Sequence, residues 1–370
     1  MLTGQNGILN RAQEAKNKTE QAQEDEKEKL TAMEAMVQSA GTAVTNPSSY
    51  GQSPNAQATS DGTGKYFALP TGASYVTGTV DTGVVVNIKG SEFVWVPVND
   101  VVLGTSKVEE LPTSNSNGTA NGKVYTPMAT KVEGNYKAIL YEFSGKNSYL
   151  KYAENENYQG GSTEWREPEE ISLDIGDYKE EGITKAVLTK EYNSMIESIL
   201  RYKGFYVARY EAGLDKDNNI VFKNASKNEV TTTDASNTQS RRWYGLYKKI
   251  KTFATISNTE DKVVSSMIWG SQYDAMLNWM TKTGIIVGNT DDTKRNKETV
   301  TGQNEKDVIN NIYDLYGCHY EWTIEAHDIS HRVRRGGYLG GSNSPASRYD
   351  DDSPSNTDSL YSSRATLYIK

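Results

Sequence analysis

The twelve residues Ile312-Tyr-Asp-Leu-Tyr-Gly-Cys-His-Tyr-Glu-Trp-Thr323 govern how the rest of the chain is interpreted. Gly317 suits a tight backbone bend, Trp322 a buried plug, and Glu321 a carboxylate facing the interior or a loop. A buried carboxylate needs a partner. Backbone N–H groups, a nearby arginine or a bound cation would each serve. Cys318, in the middle, reads as a small buried side chain.

Upstream, Val84–Ile88 and Glu92–Val98 are dense in β-branched and aromatic residues and are separated by Lys89-Gly90-Ser91, which predicts a hairpin. Lys137–Phe143 reads as a further strand, and the polar stretch Asn155–Glu181 as a long loop. Tyr192, Met195, Ile196 and Ile199 fall at i, i+3, i+4 and i+7, predicting a helix over Thr189–Tyr202 that Gly204 ends. A strand over Phe205–Glu211 and helices over Ser240–Ile256 and Ser271–Lys282 follow; Tyr273, Met276, Leu277 and Met280 form a core-facing stripe. Strands, then helices, then many short ordered pieces among polar loops fit the α+β class.

Composition narrows the function. The 370 residues carry a net charge of −8, which argues against a nucleic-acid partner read by a basic surface. Only 36% of residues are apolar, a count that includes 24 tyrosines, so loops are extensive. The single cysteine excludes an intramolecular disulfide and any zinc site that needs two thiolates. His327-Asp-Ile-Ser-His331 lacks the Glu of H-E-x-x-H and lies in a loop-like segment, so these histidines read as surface or packing residues. No helix pattern begins after Gly336-Gly337 or Gly340-Gly341, which argues against a phosphate cradle.

Three separated stretches resemble the formylglycine-generating enzyme, or sulfatase-modifying factor, family. Glu92-Phe-Val-Trp-Val-Pro97 resembles its opening core strand. Gly204-Phe-Tyr-Val-Ala-Arg-Tyr-Glu211 resembles F-x-[IM]-x-[KR]-Y-E-V, and Ile312–Thr323 resembles N-[VL]-x-D-[ML]-x-G-N-V-W-E-W-T. Arg334-Arg335-Gly336-Gly337 then matches R-G-G, and Ser363-Arg364 the closing G-F-R. The resemblance implies an elaborated C-type-lectin-like α+β domain over 64–370, with a polar insertion around 103–190. It also implies a calcium ion; position by position, its ligands fall on Asp314, Gly317, His319 and Glu321. Two carboxylates with carbonyl oxygens suit calcium. Simple hydrogen bonding of Asp314 and Glu321 within the loop is the competing reading.

The family's enzymes use a late pair of copper-binding cysteines, whereas this chain has only Cys318, where the motif carries Asn. The iron-dependent sulfoxide-forming branch uses a helical domain with a His-x₃-His-x-Glu set, and residues 1–83 contain no histidine. Neither activity is expected. A formylglycine-generating-enzyme-like oxidoreductase, or another enzyme of the same fold, is the alternative.

Residues 3–40 read as a helix that is polar nearly all round, a stalk or a helix awaiting a partner. Leu2-Thr-Gly-Gln-Asn-Gly-Ile-Leu-Asn-Arg-Ala-Gln-Glu-Ala-Lys-Asn-Lys-Thr-Glu20 resembles the segment that follows the hydrophobic helix in type IV prepilin-like proteins of Gram-positive bacteria. That implies about twenty apolar residues ahead of Met1, membrane contact through them alone, pilus or pseudopilus subunits as neighbours, and an extracellular or cell-surface location. Residues 41–63 have a linker composition. At the other end, 17 of the 26 residues from Tyr338 to Ser363 are Tyr, Asp, Ser or Asn, a composition typical of binding loops. The candidate contacts are Tyr338, Asn343, Arg348, Tyr349, Asp350, Asp352, Asn356, Asp358 and Tyr361, with an ordinary solvated loop as the plainer reading. Leu367–Ile369 reads as the closing strand. These features favour a non-catalytic surface protein that binds an extracellular protein or glycan; a purely structural pilin subunit is a further alternative.

Overall fold

The computed structural model describes residues 16, 17, 19, 53–98, 119–120, 123–124, 128–132, 134–138, 140–144, 147–150, 183–224, 242–285, 287–294, 300–326, 330–341 and 344–370. The chain divides into two compact units, Met1–Ala40 and Gly41–Lys370. Of the first, Lys16, Asn17 and Thr19 are helical; the rest of the expected stalk lies outside the described residues, as does the polar stretch 155–181.

The second unit is mixed α+β, with three helices and several small sheets among the described residues. Its larger sheet has six strands in the order Val263–Met267, Ala365–Ile369, Gly204–Ala208, Ser91–Pro97, Val85–Ile88 and Ser74–Thr77, each antiparallel to its neighbours. The predicted hairpin is present, with Ile88 opposite Ser91. Lys89 and Gly90 take φ of 50° and 85°, the pair of left-handed residues that matches the twist of the strands. The closing strand lies inside the sheet rather than at its edge, and all five of its residues are buried.

Helix Lys185–Tyr202 begins four residues before the predicted start, because the Thr184 side chain accepts the Val187 N–H and caps it. Its stripe of Leu188, Tyr192, Met195, Ile196 and Ile199 is buried. Gly204 does not end it. Lys203 takes the left-handed turn (φ 61°), and Gly204 already belongs to the next strand. A Cβ on Gly204 would lie 2.3 Å from the Trp95 ring, so close packing is what this position requires. That strand stops at Ala208, leaving Arg209, Tyr210 and Glu211 outside it. The other helices are Trp243–Ile256 and Gly270–Lys282.

Two further readings change. Lys137–Phe143 divides between two hairpins, Ala129–Val132 with Asn135–Ala138 and Tyr141–Ser144 with Asn147–Leu150. Within the stretch 41–63, Ala56–Ser60 is a strand paired with Tyr66–Pro70, and the Asn55 side chain donates to the Lys370 carbonyl. The small polar residues there concealed a strand held by backbone pairing.

The second sheet positions the site. Its order is Arg348–Asp352, Arg332–Arg335, Tyr320–Ala326 and Tyr361–Ser363; the last pair is parallel and the others antiparallel. The strand Tyr361–Ser363 passes through Arg364 directly into the closing strand of the larger sheet, so Arg364 stands at the corner between the two sheets.

Candidate functional site

Two side-chain clusters flank the motif strand Tyr320–Ala326. The first is buried and acidic. In the loop before this strand the left-handed residues are Asp314 (φ 66°) and Cys318 (φ 67°), so the sharp turning expected of Gly317 falls on two non-glycine positions. Asp314 accepts from the Thr301 hydroxyl and the Gly302 N–H. Asp307 accepts from the N–H groups of Leu315 and Tyr316. Glu211, just past its strand, accepts the His319 N–H at 3.1 Å, and its other oxygen lies 2.6 Å from His319 Nδ1. Cys318 Sγ lies 3.1 Å from the same Nδ1.

Glu321 faces Arg364. Nε lies 3.0 Å from Glu321 Oε1, Nη2 contacts the same oxygen, and Nη1 and Nη2 each donate at 2.8 Å to the carbonyls of Ala208 and Tyr313. Of the expected partners for Glu321, an arginine is therefore present. The other carboxylate oxygen, Oε2, is buried without a hydrogen-bond partner.

Among the described residues these four buried carboxylates meet one arginine, Arg364, through Glu321. Burial and the neighbouring Asp314 push Asp307 up to about 8, and burial with Glu211 pushes Asp314 up to about 7. Burial likewise carries Glu321 up to about 7 against the opposing pull of Arg364. A second buried network, Asp274 and Glu325 with Arg335 and Arg348, is balanced in charge.

The imbalance sets a pH dependence. A carboxyl whose folded pKa is raised keeps its proton in the folded chain where the unfolded chain has lost it. Its stabilising contribution is complete below about pH 4 and is lost as pH rises towards 8, at roughly 1.4 kcal/mol per pH unit for one group. Asp307→Asn removes this titration, while its amide oxygen still accepts the Leu315 and Tyr316 N–H groups. In chelator, the wild-type melting temperature is expected to fall relative to that of Asp307→Asn as pH rises from about 4 to about 8. Parallel profiles would contradict a proton held on Asp307.

This cluster is not a nucleophile–base pair. Catalysis of that kind uses one imidazole nitrogen towards the nucleophile and the other towards the orienting acid. Here Nδ1 faces both Cys318 and Glu211. Burial, with the charges of Glu211 and Asp314, also pushes the Cys318 thiol well above its usual range, away from the reactive thiolate.

The second cluster is aromatic and partly open. Tyr338 stacks on Tyr320 with centroids 4.4 Å apart, and Tyr349 meets Tyr320 edge-on at 4.6 Å. The Arg334 guanidinium lies 4.9 Å from the Tyr320 ring centre and 4.6 Å from that of Tyr361, and it pairs with Asp352. The Tyr361 hydroxyl donates to Asp352 at 2.7 Å, and the Asn356 amide donates to the other oxygen. Tyr320, Tyr338 and Tyr349 are half-buried, whereas Tyr361 packs against Trp322 and is 9% exposed.

The predicted contact residues therefore separate. Tyr338, Tyr349, Asp352, Asn356 and Tyr361 converge. Arg348 turns inward, buried against Asp274 and Glu325, and is structural. Asp358 is exposed and accepts the Leu360 N–H. Asp350 lies in the strand Arg348–Asp352, and Asn343, like His327, lies outside the described residues. Of the residues expected around calcium, Asp314, His319 and Glu321 are buried in the acidic cluster; Gly317 lies in the same loop. Sequence reasoning missed Glu211, Tyr320 and Arg334 as site residues, although all three stand inside the quoted motifs. No family model, curated protein or solved structure matches this chain, so its function is read from the geometry of these two clusters.

Proposed function

We infer that this chain is a non-catalytic surface protein whose lectin-like domain binds a glycan through the tyrosine face around Arg334. The observation that carries this is the half-buried tyrosine set at the second sheet, in which Tyr320 is stacked by Tyr338 and met edge-on by Tyr349. Tyrosine rings present an apolar face and a polar rim at small entropic cost, which fits the alternating C–H and hydroxyl surface of a sugar ring. Arg334 and Asp352 fix the rings from beneath, so the platform is ordered before a ligand arrives. The prepilin-like segment supports display at the cell surface on a pilus-type stalk. Among the described residues no helix is long and apolar enough to cross a membrane.

The test is binding to immobilised glycans. Tyr338 is held by stacking and lies outside the core, so Tyr338→Ala is expected to weaken binding by roughly tenfold or more at unchanged melting temperature. Undiminished binding by Tyr338→Ala and Tyr349→Ala would remove this face from the function. Binding that survives deglycosylation of a captured partner would replace the glycan with a protein surface.

A further inference from the structure

We propose that Glu211, Cys318 and His319 hold a structural zinc ion. The ligand atoms of the first three all lie within 4.8 Å of one another. They come from two separate segments, 108 positions apart at Glu211 and His319, brought together by the fold. All three residues are buried: Glu211 is 1% exposed, Cys318 0% and His319 2%. A tetrahedral ion with bonds of about 2.0–2.3 Å places its ligand atoms roughly 3.3–3.8 Å apart. The 3.1 Å from Sγ to Nδ1 and the 2.6 Å from Nδ1 to the carboxylate need widen only modestly to admit one.

A further unsatisfied group stands in the adjoining motif strand. Glu321 Oε2 is a buried carboxylate oxygen with no partner, on a side chain 1% exposed. A native fold rarely leaves such an atom unsatisfied without an ion or a water to fill the place. Cys318 also adopts a left-handed backbone, an uncommon conformation for a non-glycine residue, and such outliers concentrate at ligand-holding sites.

The donor set selects the metal class. Calcium takes six to eight oxygens, whereas sulfur, imidazole nitrogen and carboxylate oxygen together suit a borderline ion such as zinc. Charge also balances. The Cys318 thiolate and the Glu211 carboxylate carry two negative charges, which the two positive charges of zinc offset, while Glu321 is already paired with Arg364. On binding, the thiol proton and the proton shared between His319 and Glu211 pass to solvent, and the ion takes their place.

The experiment uses the full chain, folded in the presence of zinc and then freed of loosely held metal. Elemental analysis is expected to find one zinc per chain, and competition with a chromogenic chelator at least a roughly tenfold loss of affinity in Cys318→Ser and in Glu211→Gln. Cobalt(II) in place of zinc is expected to give thiolate-to-metal charge-transfer absorption. Cys318→Ser should lack that band while keeping its near-ultraviolet circular dichroism. Absence of bound zinc, or equal zinc affinity in both variants, would overturn the proposal. So would stoichiometric calcium whose affinity ignores Cys318→Ser, because that ion would be held by the oxygen donors around Asp314, Gly317 and Glu321. Should Cys318→Ser fail to fold, the cobalt spectrum of the wild-type chain decides: the charge-transfer band supports the site and its absence refutes it.

Discussion

Arg364→Ala is expected to cost about 3–5 kcal/mol, a large share of the stability of an ordinary domain. Arg364 is fully buried and bonds at once to Glu321 and to the carbonyls of Ala208 and Tyr313. Truncation leaves a buried carboxylate and two carbonyls without donors, and removes the one arginine among four buried acids. Arg364→Lys keeps the charge but not the planar fork, so it should fall between alanine and wild type. Adding Glu321→Gln to Arg364→Ala should recover part of the loss by removing the uncompensated charge. Guanidinium unfolding followed by tryptophan fluorescence measures all three proteins. A wild-type midpoint for Arg364→Ala would show that the corner between the sheets does not depend on this side chain.

Gly337→Ala is expected to be comparably damaging for a steric reason. A Cβ at Gly337 would lie 2.2 Å from the Tyr316 carbonyl oxygen, 2.4 Å from its carbon and 3.0 Å from the Gly317 nitrogen. All three are backbone atoms, so no rotamer change can relieve the contact. The same glycine donates its N–H to the Leu315 carbonyl at 3.1 Å. Pushing this loop away would also strain the grip of Asp307 on the Leu315 and Tyr316 amides. Overpacking typically costs about 1–3 kcal/mol, and a backbone clash belongs at or above the upper end. Gly340→Ala makes a useful comparison, since the three atoms nearest its Cβ would all belong to the Tyr338 side chain, which can swing aside. Thermal melts should show a much larger loss for Gly337→Ala than for Gly340→Ala; equal melts would exclude close apposition of the two loops.

What the residues disclosed in advance was local. The Val85–Pro97 hairpin follows from β-branched runs around Lys89-Gly90, and the helix Lys185–Tyr202 from its apolar stripe. Partners distant in sequence stayed hidden. Nothing near Arg348 announces Asp274, 74 positions earlier, so an arginine among polar tail residues read as solvent-facing while it is a core ion pair. Glu211 was visible as a motif residue, but its meeting with His319 depends on the fold bringing the two segments together. In the arginine-rich strand, an irregular register between Arg332 and Arg334 defeats simple alternation. Arg332 lies over the Trp243 ring and Arg334 among the tyrosines, which side-chain period alone does not assign.

The place of the strand Ala365–Ile369 has a consequence for biogenesis. It separates Val263–Met267 from Gly204–Ala208, so both strands keep an open hydrogen-bonding edge until residue 369 has been synthesised. A nascent chain halted anywhere earlier cannot close its central sheet, and its exposed edges invite pairing with other chains. Closure of the sheet therefore waits on pairing between segments distant in sequence, which is slow.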